Sequence, residues 1–254
     1  PHGTKPPLFC LPPIAGTVQP YAQLAAQLGP DQPVYGLQAV GVENDCTPLT
    51  DLREIAAYFI AALQSVQPKG PYYLCGWSFG IFPAFEMAQQ LHQHGEQVAL
   101  LAALDQEMLA GNKLERLWSG TRFLFTTGIP NLWPYLSDVF QSAGRTQAAP
   151  LAPQLNALRT AVGMRLLRVM TANSQALADY QPHGYPGSLV LFQTRALRQR
   201  LLQDPTAGWG KYVRGGVRRH DIPGHHMNLL LAPQVASVAK KMQQVLHELH
   251  ASHP

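Results

Sequence analysis

A serine set between glycines, an aspartate closing an apolar run and two adjacent histidines far down the chain are the residues best suited to chemistry. Ser78 stands in Gly76-Trp77-Ser78-Phe79-Gly80, Asp105 ends VALLAALD, and His225 and His226 lie in IPGHHMNLL. A serine hydroxyl is a weak nucleophile at neutral pH and needs a base within hydrogen-bond reach, which in turn needs a group to orient it. Together these residue types can run acyl transfer through a covalent serine ester. The Gly-x-Ser-x-Gly triplet by itself is weak, arising by chance in roughly one chain in ten of this length. A plain turn serine is the bland alternative, and context decides between them.

The context is a short apolar run, Tyr72 to Cys75, that reaches Gly76, turns sharply at Ser78 and enters a helical pattern from Ile81 onward. Strand, tight turn and helix are the setting in which such a serine projects its hydroxyl from the corner. Glycine on both sides lets strand and helix pack closely while the corner residue takes a strained backbone.

In an open sheet the partners of that serine should come after other strands, because the loops at the carboxyl ends of the strands form the crevice. Asp105 directly succeeds the strand after the elbow helix. Asp204, in QDPTAGW after a later strand, is the rival acid, although Asp-Pro reads equally well as turn chemistry. His225 and His226 come after the last strand. His92, His94, His247, His250 and His253 read instead as solvated helix or tail residues. The order Ser78, Asp105, His226 is the chain order of an α/β-hydrolase triad. Charge on a tetrahedral intermediate needs two preset N–H donors. Phe79, just past the nucleophile, offers one. The other should come from LPPIAG, where Pro12 and Pro13 have no N–H and Ile14 is the first able to donate.

The elements that must position these groups alternate. Apolar runs at 8–11, 72–75, 98–105 and 188–194, with PVYGLQ at 33–38 and the mixed VRRHDI at 217–222, read as strands. Helical spacing marks 19–28, a helix from an N-cap at Thr50 or Asp51 to about 67, the segment from Ile81, about 152–177 and about 233–250. This alternation predicts an α/β fold with a mostly parallel central sheet and helices on both faces. Residues of about 108–180 break the rhythm, with Trp118, Phe123, Phe125, Trp133, Tyr135 and Phe140 among prolines and glycines. They are expected to form a helical insertion that acts as an apolar lid.

With 254 residues the chain is expected to be one domain, 1–254, carrying that insertion. A net charge of +4 is spread along the chain apart from Arg214, Arg218, Arg219 and His220, which read as a solvated strand edge. No basic stripe is interleaved with aromatics, which argues against nucleic acid. No apolar run is long enough to span a membrane. Cys10, Cys46 and Cys75 have no metal-ligand spacing, and Cys10 and Cys75 fall in strand-like runs where a thiol is a small buried hydrophobe. That usage fits a reducing cytoplasm.

Taken jointly, LFCLPPIAG, PVYGLQ, QPKGPYYLCGWSFG with AFEMAQQL, LLAALD and IPGHHMNLL resemble the thioesterase domains that end polyketide, non-ribosomal peptide and fatty-acid synthases. The likeness covers about residues 6–110 and 180–240. It implies an α/β-hydrolase fold and a Ser/Asp/His triad. It implies an acyl chain taken from the phosphopantetheine arm of an acyl or peptidyl carrier protein, with no cofactor bound by the domain itself. Release would be by water or by an internal nucleophile, and the domain would be part of a larger synthase. The family's acid comes after the strand that succeeds the elbow, which matches Asp105 over Asp204. Its histidine sits two residues after a glycine, which matches His226 after Gly224. Ile81, Gln106 and His225 depart from the family's usual residues.

Overall fold

A computed structural model describes residues 3–108 and 161–252. Strands β1 (Leu8–Leu11), β2 (Val34–Gly36), β3 (Tyr72–Trp77), β4 (Val98–Leu104), β5 (Leu189–Thr194) and β6 (Val217–Ile222) form one sheet in the order β2-β1-β3-β4-β5-β6, every pair parallel. Each falls where the apolar runs place a strand, and β2 is shorter than its run.

The sheet is covered on both faces, and alternation along each strand decides what faces what. Phe9, Leu11, Tyr72 and Leu74 point to the side of α2 (Leu52–Val66) and α3 (Ile81–Gln93). Leu8, Cys10, Tyr73 and Cys75 point to the side of α1 (Ala22–Leu28) and the last helix, Gln234–Ser252. Strands buried twice must be apolar at every position, which is why VALLAAL carries no polar alternation. Cys10 and Cys75 are buried free thiols in register on neighbouring strands.

Asp51 caps α2 by accepting the Arg53 amide hydrogen bond at 2.7 Å. The buried stripe of that helix is Leu52, Ile55, Ala56, Phe59 and Leu63, whereas Tyr58 and Val66 are exposed. The segment at 19–28 opens as a 3-10 turn, Gln19–Tyr21, with Pro20 in its first positions. Helix α4 (Ala161–Asp179) covers the far part of the expected lid. Residues 109–160, with their aromatic cluster, lie outside the described residues. Asn173 of α4 donates to the Ile14 carbonyl at 2.9 Å, so this helix packs over the loop that leaves β1. One helix escapes the sequence pattern: α5 (Arg195–Arg200) starts directly from β5, capped by the Thr194 hydroxyl.

Strand β6 is the sheet edge, and Arg218 and Arg219 are solvent-exposed along it, as the charge cluster predicts. His92, His94 and His247 are exposed, whereas His250 of the last helix (α6) is half-buried, edge-on to Tyr73 at 5.1 Å. This ring, so near the helix end, reaches the sheet because Leu246 and Leu249 beside it already pack there. Among the described residues no helix is long and apolar enough to cross a membrane.

Candidate active site

The strand order reverses between β1 and β3: the chain steps outward from β1 to β2, then returns past β1 to β3 and continues to β6. A crevice opens at the carboxyl ends of strands on either side of such a reversal. Ser78 leaves β3 there, and Ile14 lies in the loop that leaves β1.

Ser78 sits between β3 and α3 with a positive φ of 56°, in the left-handed region that non-glycine residues seldom occupy. Close approach on both sides forces the corner. A Cβ on Gly76 would lie 2.3 Å from the Ile81 amide nitrogen, and one on Gly80 would lie 2.3 Å from the Leu11 carbonyl oxygen. Neither contact leaves room for a methyl group, and both partners are backbone that cannot rotate away. The second contact also brings the elbow against the Leu11–Pro12 stretch, which carries Ile14. Phe79 and Ile14, the two expected main-chain donors, therefore belong to segments in direct contact.

Asp105 directly follows β4 and leaves the strand at a positive φ, 52°. Trp77 and Leu104 are register partners, so Ser78 and Asp105 leave neighbouring strands at the same level. The Asp105 side chain is 3% exposed, and His226 stands against it. His226 Nδ1 lies 2.9 Å from the Asp105 carbonyl oxygen and 3.4 Å from Asp105 Oδ2. Two acceptors face Nδ1, so in the neutral imidazole this nitrogen carries the proton and Nε2 the lone pair, the tautomer a general base requires. On the other side, the indole of Trp77 packs against the imidazole at 5.7 Å between ring centres and its Nε1–H donates to the His226 carbonyl at 3.0 Å. The residue before the serine thus holds the histidine.

His225 is exposed, and its amide donates to Asn228 Oδ1 at 2.8 Å within the same turn. Of the adjacent pair, His226 is the one brought to the acid. Asp204 is not brought to either histidine. Its Oδ1 accepts from the Thr206 amide at 2.9 Å and the Thr206 hydroxyl at 2.6 Å, and its Oδ2 from the Gly208 amide at 2.8 Å. The Thr206 hydroxyl and amide hold its carboxyl below the usual carboxylate range. The turn chemistry of Asp-Pro is therefore what Asp204 performs.

Two contributors escape the sequence. The Thr194 amide donates to Asp105 Oδ1 at 2.6 Å and fixes the carboxylate from the strand next door. Being main chain, it leaves no mark on residue type, and only the β4–β5 pairing reveals it. Trp77 is visible as the flank of the serine but not as a clamp on a residue 149 positions later. Among the described residues no cluster of three or more His, Cys, Asp or Glu is placed to hold a metal ion.

The thioesterase-domain family model matches residues 6–246. Malpinin synthetase of Mortierella alpina is 30% identical over 98% of this chain, which spans 3% of that protein. The dimodular nonribosomal peptide synthase of Bacillus subtilis is also 30% identical over 98% of the chain, which spans 11% of it. The chain thus covers a small part of the relatives it matches. The NocB thioesterase domain shares its fold, with a TM-score of 0.69 at 23% identity and 96% of each chain covered. So does part of a four-domain nonribosomal peptide synthetase, AB3403, with a TM-score of 0.71 at 24% identity over 96% of this chain and 20% of that one.

Proposed function

The chain belongs to the thioesterase-domain family, hydrolases of thioester bonds, and we propose that it releases an acyl, polyketide or peptidyl chain from the phosphopantetheine arm of a carrier protein. In this reading Ser78 is the nucleophile, His226 the general base and acid, and Asp105 the group that orients the imidazole. His226 Nε2 takes the Ser78 proton as Oγ attacks the thioester carbonyl. The Phe79 and Ile14 amides donate to the oxyanion, and collapse expels the carrier thiolate, which takes the proton back from His226. An ester on Ser78 remains. Water, or a hydroxyl or amine of the chain itself, repeats the sequence and frees an acid or a ring.

The contact of His226 Nδ1 with Asp105, beside an elbow serine at φ 56°, carries the proposal. The length of the relatives supports the carrier as a partner in the same polypeptide, with this chain as one domain, 1–254, of a larger synthase, which is proposed to be cytoplasmic. The domain itself is proposed to bind no cofactor. A fluorophosphonate probe should label Ser78, and Ser78→Ala should abolish chain release from an acylated carrier. Labelling without carrier-dependent turnover would point to a generic ester hydrolase, and a folded protein that takes no label would sink the enzymatic reading.

A further inference from the structure

Tyr21 is 2% exposed, at the point where the 3-10 turn gives way to α1. Its hydroxyl donates to the Leu11 carbonyl at 2.7 Å and accepts the Trp77 amide hydrogen bond at 2.7 Å. Leu11 and Trp77 are the last residues of β1 and β3. Leu11 pairs in register with Gly76, so Trp77 is one residue beyond the last pair. Parallel neighbours ordinarily close such a gap with a direct N–H···O=C bond. Here a side-chain oxygen stands between the two main-chain groups, at the place where the sheet must open into the crevice.

Both strand ends run straight into the proposed catalytic machinery. Leu11 leads through Pro12 and Pro13 to Ile14, and Trp77 leads to Ser78 and Phe79. The spacing of the two strand ends is therefore where the placing of the two proposed oxyanion donors and of the nucleophile begins. We propose that Tyr21 is a positioning residue, whose phenol hydroxyl spaces the ends of β1 and β3 and so sets the oxyanion amides relative to Ser78 Oγ. This rests on the Ser78 acyl-enzyme reading. Only a neutral phenol can donate to one group while accepting from the other. Burial, with Cys75 and Cys10 alongside, pushes its pKa well above the ordinary tyrosine value, so the proton stays in place.

A tyrosine that merely satisfied two buried polar groups would contribute to stability alone, and the experiment separates the two roles. Full-length wild type and Tyr21→Phe are compared for thermal midpoint, for the rate of fluorophosphonate labelling at Ser78, and for kcat and KM on a small acyl thioester. Tyr21→Phe keeps the ring and loses the spacer. Labelling and kcat per folded molecule are expected to fall about a hundredfold, with KM within about twofold, as a misplaced transition-state contact requires. Wild-type labelling and kcat in a folded Tyr21→Phe, whatever its thermal midpoint, would overturn the role of Tyr21 and leave Ser78 untouched. A wild type that takes no label would remove both readings together. Should Tyr21→Phe not fold, a trifluorotyrosine placed at position 21 keeps the shape and weakens the hydroxyl as an acceptor. A slowed labelling rate at an unchanged thermal midpoint then supports the proposal, and an unchanged rate overturns it.

Discussion

The two halves of the candidate site are held by different physics. The elbow is a steric object, in which Gly76 lets the start of α3 and Gly80 the end of β1 approach as backbone and leave Ser78 at the corner. The Asp105–His226 arm is held by hydrogen bonds drawn from distant parts of the chain. The Thr194 amide holds the carboxylate, the Phe192 carbonyl accepts from the Asp105 amide at 2.7 Å, and the Trp77 indole holds the histidine loop. Sterics between backbones are all or none, while hydrogen bonds can be weakened one at a time. The elbow should therefore fail by failing to fold, and the arm by losing turnover in a folded protein.

The deepest loss is expected in the arm. His226→Ala should fold normally and lose about 10⁶-fold in turnover, the scale for removing the base of the proposed triad, while the exposed His225→Ala should stay within about threefold of wild type, since it meets no candidate site residue among the described residues. Steady-state turnover of an acylated carrier with each variant checks this, and comparable losses would mean that the histidine loop has been read one residue out of place. Asp105→Ala should cost about 10⁴-fold, because the main-chain carbonyl at 105 still faces Nδ1 but the carboxylate that would balance a charged imidazole is gone. Asp204→Ala should cost less than about tenfold, as a residue outside the triad. The reverse order in the same assay would move the acid to β5.

At the elbow the readout is stability. Gly80→Ala puts a methyl group 2.3 Å from the Leu11 carbonyl oxygen, and Gly76→Ala puts one 2.3 Å from the Ile81 amide nitrogen. Each should cost about 3 kcal/mol or more, since overpacking against backbone cannot be relieved by a change of rotamer. Gly95→Ala is the control: with φ at +77° and nothing within 4 Å, it incurs torsional strain only, about 1–2 kcal/mol. Urea denaturation midpoints separate the two. Equal costs at Gly80 and Gly95 would show that the elbow tolerates a side chain and is no steric object.

The same contrast explains how much is legible in the sequence alone. The elbow is legible because its cause is local: two glycines, a serine and a change of period from strand to helix. The central strands β1, β3, β4 and β5 are legible because burial on both faces removes polar residues from nearly every position. Asp105 and His226 are legible as types at strand ends, and choosing them over Asp204 and His225 leans on chain order and on likeness to a family. The hidden part is held by main chain or by cross-chain contact. The Thr194 amide has no side-chain signature. Helix α5 is the six residues RALRQR, too short for periodicity to register. Tyr21 and Trp77 read as apolar bulk, although each commits its one polar atom to a functional loop.

The mildest loss belongs to Asp204, whose part in this contrast is indirect. Its turn presents the Ala207 carbonyl to the Met108 amide at 2.8 Å, and Trp209 of the same turn donates its indole N–H to the Gln106 carbonyl at 2.9 Å. The segment leaving Asp105 is thus braced by a turn that Asp204 closes. Asp204→Asn keeps the shape, removes the charge and replaces one accepting oxygen with an NH₂ group, which should cost about 1 kcal/mol or more at neutral pH on an incompletely buried group. The folded-state carboxyl is depressed, by the Thr206 hydroxyl above all. Its stabilisation is therefore complete above the ordinary aspartate value of about 3.9 and is lost as pH falls through the lower folded value. Wild type and Asp204→Asn should differ at pH 7 and converge in acid, as thermal midpoints measured across that range would show. A gap that persists unchanged in acid would mean that the charge is idle and only the shape of the turn matters. A loss of turnover at pH 7 as deep as that of Asp105→Ala would instead place Asp204 in the arm itself, and the division between the two halves of the site would have to be redrawn.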